Sequence, residues 1–264
     1  MQRQLPLLAL LVGCGSVAQD PMVDGGHSQP ADVLDGTLRT GCILALHMDE
    51  PVWSGVTGEV KDDCGGDNPG TAVGAGLTTV AGGVHGRAGS FSGGGCVEIP
   101  NAASLHATTG LTMSAWIFPT QLDGGINNAN GVISKRTDSD DQSEYNLSVW
   151  TGDHVYVDLD GKNDRFNGNA TIALKRWTQL TVVYDGTQLA DQRVHLYVNG
   201  LLDVAKPETS ASLTAFSSTL SIGCMPAPAA GTQQNFIGQI DEVAIWNRAL
   251  SSDELMRWYN NTKL

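Results

Sequence analysis

The chain has 264 residues with a formal net charge of −13 at pH 7, and only 16% of its residues are charged. A surface this acidic repels phosphate backbones, which argues against nucleic acid as a partner. The 32 glycines favour many turns between short strands, and the five cysteines indicate disulfides in an exported chain.

The N-terminal segment has the pattern of a lipoprotein signal peptide. Arg3 precedes an apolar run at residues 5–12, which is shorter than the roughly 20 residues that span a bilayer. Gly13 and Cys14 follow at once and resemble a bacterial lipobox. That resemblance implies removal of residues 1–13, lipidation of Cys14, and a cell-envelope location at the outer membrane or cell surface, held to the membrane only by the lipid. The alternative is a plain signal peptide with an incidental cysteine.

The remaining chain divides by composition into a tether and one domain. Residues 14–41 are rich in Gly, Asp, Ser, Pro and Gln without periodicity, which predicts a flexible tether after the lipid. Residues 42–264 predict a single large domain. No other stretch is long and apolar enough to cross a membrane.

Four cysteines remain for this domain, Cys42, Cys64, Cys96 and Cys224, and they allow three disulfide pairings. We favour Cys42 with Cys64, which closes a short loop, and Cys96 with Cys224, which joins two distant strands. The alternative is a zinc site, although no C-x₂-C spacing is present.

The domain shows the two-residue apolar alternation of strands that bury one face. Such alternation occurs at residues 111–117, 145–149, 155–159, 180–184 and 194–198, and in a shorter segment at 220–222. Asp185-Gly186 and Asn199-Gly200 occupy hairpin positions. The pattern predicts an all-β fold of two antiparallel sheets packed face to face.

One helix is predicted, at the C terminus. Ser251 and Glu254 have the spacing of a capping box, and Leu250 and Leu255 that of a hydrophobic staple. Met256, with Tyr259 one turn later, is expected to pack on the sheets.

A succession of short motifs resembles the LamG-like (laminin G/concanavalin A-like lectin) jelly-roll family across almost all of residues 42–264. The clearest are His47-Met48-Asp49-Glu50, Gly86-Arg87-Ala88-Gly89-Ser90-Phe91, Ile240-Asp241-Glu242-Val243 and Asn247-Arg248-Ala249-Leu250-Ser251. The resemblance implies a two-sheet jelly roll used for carbohydrate or protein recognition at cell surfaces, without fixing a ligand.

Glycosidases share this fold class and are the enzymatic alternative. Jelly-roll glucanases carry Glu-x-Asp-x-x-Glu on one strand, but the two Glu positions here are Gln239 and Ala244. Asp241 and Glu242 are adjacent, so a regular strand would direct them to opposite faces. The carboxylate pair of a glycosidase is therefore missing, and we expect no enzyme activity.

A calcium site is predicted around Asp241. Its position on a largely apolar strand face requires hydrogen bonds, a cation or a metal. In related jelly rolls the first strand and the loop after it approach the final strand, so Asp49, Asp63, Asn68 and Asp241 could hold Ca²⁺. The alternative is that Asp241 only accepts backbone N–H bonds and organises a turn.

Candidate ligand contacts are Trp150 and Tyr156 on the polar face of the middle strands, and Arg165 and Asn167 in a predicted loop. Aromatic rings beside polar groups suit sugars, and they equally suit ordinary packing. The first functional hypothesis is a non-catalytic surface module that binds a glycan. The alternative is a structural envelope protein that contacts a cell-surface protein.

Overall fold

A computed structural model describes residues 33–122, 129–137, 143–160, 165–226 and 233–263. The predicted signal peptide and Cys14 lie outside these residues. Within the described part, no helix is both long and apolar enough to cross a membrane.

Two antiparallel sheets face each other, as the alternation predicted. The first contains, in hydrogen-bonded order, β11 (Leu201–Lys206), β10 (Val194–Val198), β9 (Thr178–Asp185), β4 (Gly110–Gln121) and β15 (Ile237–Trp246), with β1 (Cys42–Leu46) also on β15. The second contains β12 (Leu220–Ile222), β5 (Asn130–Arg136), β6 (Ser143–Trp150), β7 (His154–Leu159) and β8 (Phe166–Thr171). The all-β jelly-roll prediction is confirmed.

One long strand joins the two sheets. β3 (Arg87–Ile99) pairs with β15 through Gly89–Ser92 and with β12 through Val97–Ile99. β2 (Thr71–Ala81) pairs along its other edge. β13 (Cys224–Pro226) and β14 (Gln233–Asn235) form a separate ribbon.

The core lies between the sheets and consists of the residues that alternate inward. From β4, β6, β7 and β9 it takes Leu111, Met113, Ala115, Ile117, Leu147, Val149, Val155, Val157, Leu159, Leu180, Val182 and Tyr184, all fully buried. Burying one apolar face of each sheet is the main favourable contribution to this fold.

The C-terminal helix α1 (Ser252–Thr262) covers the outer face of the first sheet. Ser251 and Glu254 form the predicted capping box. Leu255 and Trp258 are buried against Trp246 in a second apolar cluster. The expected packing of Met256 is wrong, because this side chain is largely exposed and Trp258 faces the sheet instead.

Folded structure begins before residue 42, contrary to the predicted tether boundary. A short 3₁₀ helix spans Gly36–Arg39, and Leu34 and Leu38 are fully buried in the cluster under α1. The Leu38 carbonyl accepts a hydrogen bond of 2.6 Å from Trp246 Nε1. Composition did not predict folded structure in this segment, because only a few of its residues are apolar.

Both favoured disulfides are present. Cys42 and Cys64 have Cα atoms 5.6 Å apart, and Cys96 and Cys224 have Cα atoms 5.5 Å apart. The first closes the loop after β1, and the second fixes the start of β13 to β3.

Candidate functional site

Three polar residues lie side by side on the face of the second sheet that points away from the core. Ser134 of β5 is directly opposite Asn146 of β6, which is opposite Asp158 of β7. Their strand neighbours Ile133, Leu147 and Val157 all enter the core. Because side chains alternate along a strand, these three, which we call the polar row, share the opposite face, which we call the polar face.

Several buried polar atoms on the polar face have no hydrogen-bond partner. Among the described residues, Ser134 Oγ, Asn146 Oδ1 and Trp150 Nε1 are buried and unpartnered. Asn146 and Trp150 share the face because they lie four positions apart on β6. Since almost all buried polar groups in proteins are hydrogen-bonded, such a concentration indicates a missing partner.

Asp158 at one end of the polar row is surrounded by two guanidinium groups. Its Oδ2 lies 3.6 Å from Arg136 Nη1, and its Oδ1 lies 3.9 Å from Arg165 Nε. Arg136 and Asp158 are both buried, whereas the Arg165 side chain is 28% exposed. The opposite charges offset the cost of burying this carboxylate.

Beside the row, Trp150 and Tyr156 form an edge-to-face pair with ring centroids 4.8 Å apart. Asn167 is opposite Tyr156 in the sheet. The prediction of a loop here is wrong for Asn167, which belongs to β8 and is exposed; Arg165 directly precedes that strand. The structure thus brings the four predicted contacts to one side of the second sheet, and their binding of a ligand stays a prediction.

Sequence reasoning missed Ser134 and Arg136 as members of this face. β5 reads Asn-Gly-Val-Ile-Ser-Lys-Arg, and all seven residues are buried, so no exposed alternation marks its polar side. One sequence feature could have indicated their position: Ser134 and Arg136 are two residues apart, and side chains two residues apart in a strand share a face. Only the pairing of β5 with β6 shows that Ser134 meets Asn146.

Asp241, the centre of the predicted calcium site, is fully buried and accepts three backbone hydrogen bonds. Its Oδ2 accepts from Val84 N at 2.7 Å and His85 N at 3.2 Å, and its Oδ1 accepts from Glu242 N at 2.8 Å. Burial, and then the adjacent Glu242 carboxylate, raise its pKa to about 8. These bonds hold the turn between β2 and β3, which is the alternative role predicted for this residue.

The other three predicted calcium ligands make different contacts. Asp49 Oδ1 accepts from Arg87 N at 2.6 Å, on the same turn that Asp241 holds. Asp63 Oδ2 lies 3.2 Å from Arg39 Nη2. Asn68 is buried and donates from Nδ2 to the carbonyl of Ile43 at 2.9 Å. In the part of the chain that the structure describes, no group of three or more His, Cys, Asp or Glu side chains is arranged to hold a metal.

The carboxylate next to Asp241 has its own partner. Glu242 Oε2 lies 2.9 Å from His47 Nδ1, and His47 Nε2 lies 3.5 Å from Asp63 Oδ2. Burial by itself lowers the pKa of His47, but the two carboxylates outweigh it and raise the pKa to about 9. Asp241 and Glu242 therefore contact different elements, the β2–β3 turn and the residue after β1.

The fold is similar to that of several solved structures of low sequence identity. Domain 4 of AbnA, an extracellular arabinanase of Geobacillus stearothermophilus solved with arabinotriose, is 18% identical with a TM-score of 0.61, covering 83% of this chain and 98% of its own. A structure of botulinum neurotoxin type C, whose cell entry depends on interaction with two ganglioside molecules, is 12% identical with a TM-score of 0.63, covering 86% of this chain. The binding domain of Paraclostridial Mosquitocidal Protein 1 is 16% identical with a TM-score of 0.62, covering 84% of this chain. This chain spans about half, 52%, of the length of each of these two structures.

No curated protein sequence matches this chain. A family model described as the Concanavalin A-like lectin/glucanases superfamily matches residues 91–256, which include the polar row, the aromatic pair and Asp241. At these identities the solved structures show the fold alone. With a match over more than half of its length, the chain belongs to the Concanavalin A-like lectin/glucanases superfamily.

Proposed function

We propose that this protein is a non-catalytic surface module that binds a glycan on the polar face. The observation that carries the proposal is the group of buried, unpartnered atoms Ser134 Oγ, Asn146 Oδ1 and Trp150 Nε1. A sugar hydroxyl both donates and accepts hydrogen bonds, so it can complement a hydroxyl, an amide oxygen and an indole N–H.

The aromatic pair supports the same ligand class. Trp150 is partly exposed and leans against Tyr156, and its ring offers an apolar surface next to polar groups, as small-ligand sites do. Of the structural neighbours, AbnA domain 4 was solved in complex with arabinotriose, and the cell entry of botulinum neurotoxin type C depends on interaction with two ganglioside molecules.

The carboxylates of the polar face favour binding without catalysis. Asp158 is held between two arginines. Glu144, two positions before Asn146 on β6, lies 2.9 Å from His106 Nδ1 and 3.4 Å from Lys135 Nζ. Both carboxylates therefore have basic partners within the protein, whereas a glycosidase needs one carboxyl group to donate a proton and a second to act as nucleophile or base.

The test combines a glycan array with isothermal titration of the strongest ligand. We expect Trp150→Ala to weaken binding at least about tenfold, since it removes one N–H donor and one ring face. Trp177→Ala is the matched control, because Trp177 is also partly exposed and pairs with Phe118, at 5.5 Å, on the first sheet. The proposal would be overturned if no glycan on the array bound the protein, or if Trp150→Ala and Trp177→Ala lowered the affinity equally.

A second candidate is a structural envelope protein that contacts another protein. The observation in its favour is the pair Leu201 and Leu202 at the β10–β11 hairpin, which are 71% and 56% exposed. Adjacent exposed leucines are typical of protein contact surfaces. Two results together would favour this candidate: the wild-type protein cross-links to an envelope protein but Leu201→Ser does not, and no glycan on the array binds.

The module acts at the cell envelope in this proposal, held there by lipid on Cys14. Acyl chains contribute about 0.8 kcal/mol per buried CH₂, so several on one cysteine anchor a protein without a spanning helix. Cells fed labelled fatty acid should label the wild-type protein and leave Cys14→Ser unlabelled. Equal labelling of both would contradict the anchor.

A further inference from the structure

Lys135 is a fully buried lysine in the middle of the second sheet. It is opposite Tyr145 of β6 and Leu220 of β12, and both of these side chains belong to the apolar core. A lysine is almost never fully buried unless its ammonium group is paired. Packing alone therefore does not explain this residue, which takes no part in the proposed glycan binding.

The Lys135 side chain ends among oxygen atoms of two loops and one strand. Its Nζ donates to Asn101 Oδ1 at 2.8 Å, to the Phe216 carbonyl at 2.7 Å and to the Ser218 carbonyl at 3.0 Å. The Glu144 carboxylate of β6 is fully buried and lies 3.4 Å from the same nitrogen. Lys135 Nζ is thus next to both a side-chain amide and a carboxylate.

The Asn101 amide carbon is within reach of this nitrogen. Because Oδ1 is 2.8 Å from Nζ and a C=O bond is about 1.2 Å long, Asn101 Cγ is at most about 4 Å from Nζ. Reacting atoms in near-attack geometry are about 3–3.5 Å apart, a difference that a small side-chain rotation can supply. Asn101 is exposed, so the amide nitrogen can leave into solvent.

The surroundings of Lys135 favour loss of its proton. Burial lowers the pKa of Lys135 below its ordinary value of 10.5, and the attraction of Glu144 opposes this effect only in part. Glu144 is held in place by a hydrogen bond of 2.9 Å with His106 Nδ1, and it accepts from the backbone N–H groups of Ala107 and Phe216 at 3.3 and 3.2 Å. A fixed carboxylate next to a desolvated amine suits general-base activation of a lysine nucleophile.

We propose that Lys135 and Asn101 form an intramolecular isopeptide bond, with Glu144 as the proton carrier. Glu144 takes a proton from the Lys135 ammonium, and the Nζ lone pair forms a bond to Asn101 Cγ. Glu144 passes the proton to Nδ2 as the Cγ–Nδ2 bond breaks. Nζ loses a second proton, which leaves with the ammonia as an ammonium ion. The lysine ammonium and the carboxamide thus give a secondary amide and ammonium, without an oxidant, a reductant or a co-reactant.

The bond ties the loop after β3 to β5 across β12, which lies between these two strands in the sheet. Asn101 and Lys135 are 34 positions apart in the chain. The Cys96–Cys224 disulfide already joins β3 to β13. A second covalent link next to the same strand restricts the unfolded chain further, which makes the domain more resistant to unfolding.

Peptide mass spectrometry of the purified protein, unfolded and reduced, is the first test. Chymotrypsin cuts after Trp116 and Phe118, between the two partners. We expect the peptides that contain Asn101 and Lys135 to remain joined, with a mass lower than their sum by one ammonia. Two separate peptides of unmodified mass would overturn the proposal. Loss of ammonia from the Asn101 peptide alone would indicate a succinimide and would also overturn it.

The second test applies the same digest to variants. Lys135→Arg and Asn101→Ser each remove one reacting group, and neither should give joined peptides; Asn101 is exposed, so Asn101→Ser is expected to fold. Glu144→Gln keeps both reacting groups but cannot carry the proton, so the yield of joined peptides should fall at least about tenfold. Lys61→Arg, at an exposed lysine, is the control and should give the wild-type yield. Joined peptides from Asn101→Ser would overturn the bond, and an unchanged yield from Glu144→Gln would overturn the role of Glu144.

Discussion

At the scale of single residues, Asp241 shows how a buried carboxylate fixes a turn. Its two oxygens accept backbone hydrogen bonds from Val84, His85 and Glu242. Its position on a largely apolar strand predicted that it needs such partners. The sequence did not identify them, because Val84 and His85 lie 157 and 156 positions away in the chain.

Replacing this carboxylate should cost stability. Asp241→Ala leaves buried N–H groups without an acceptor, and we expect a loss of at least about 2 kcal/mol in the free energy of unfolding. Asp49→Ala is the control, because Asp49 is exposed and accepts one bond from Arg87; its loss should stay below about 1 kcal/mol. Urea denaturation measures both, and equal losses would contradict the assigned role.

Calcium binding by Asp49, Asp63, Asn68 and Asp241 stays a prediction. If the ion binds, isothermal titration with Ca²⁺ should release or absorb heat, and EDTA should lower the melting temperature. Asp241→Ala should abolish both signals. If titration with Ca²⁺ produced no heat and EDTA left the melting temperature unchanged, the prediction of calcium binding would be wrong.

Glu254 at the start of α1 predicts an acid-sensitive contribution to stability. Hydrogen bonds from Arg248, at 2.9 Å, and from Ser251 lower its pKa to about 2. Because the folded pKa is below the unfolded value of 4.5, the contribution is complete above pH 4.5 and is lost as the pH falls towards 2.

The measurement compares urea unfolding of Glu254→Gln and wild type between pH 2 and pH 7. We expect a difference of about 1–2 kcal/mol at pH 7 that shrinks at acidic pH. Asp253→Asn, an exposed neighbour in the same turn, is the control. A difference that does not change with pH would contradict the ionic origin.

At the scale of elements, α1 and the segment before β1 cover the outer face of the first sheet together. Trp246 and Trp258 pack edge-to-face at 5.3 Å, and Trp258 Nε1 donates to Ser114 Oγ at 3.0 Å. Leu34 and Leu38 complete the cluster. The capping box made α1 predictable, whereas nothing local marks Leu38 as a core residue.

The contribution of this N-terminal segment can be measured directly. Leu38→Ala should destabilise the protein by about 2–5 kcal/mol, as for other fully buried leucines. Thr40→Ala is exposed and should change the free energy of unfolding by less than about 0.5 kcal/mol. If Leu38→Ala were as mild as Thr40→Ala, the segment would not belong to the cooperative fold.

At the scale of the whole molecule, the two disulfides constrain very different lengths of chain. Cys42 and Cys64 are 22 positions apart, and Cys96 and Cys224 are 128 positions apart. In the chain-entropy account the longer loop contributes more, about 5 kcal/mol against about 3 kcal/mol.

Paired Cys→Ser replacements followed by urea denaturation test this difference. Removing Cys96 and Cys224 should lower the free energy of unfolding more than removing Cys42 and Cys64. The same loss of stability in the two double variants would indicate that local packing, not loop length, decides the effect.

The sequence by itself determined which side chains of each strand point into the core, because alternation fixes which side chains share a face. It also determined the residues that cap α1. It also marked Trp150, Tyr156 and Asp241 as unusual for their positions. Tertiary structure alone decided that Ser134 lies beside Asn146, that Asp241 holds the 82–87 turn, and that Leu38 lies under α1. The physical reason is that local periodicity specifies a face, whereas the register between distant strands depends on how all buried faces fit together.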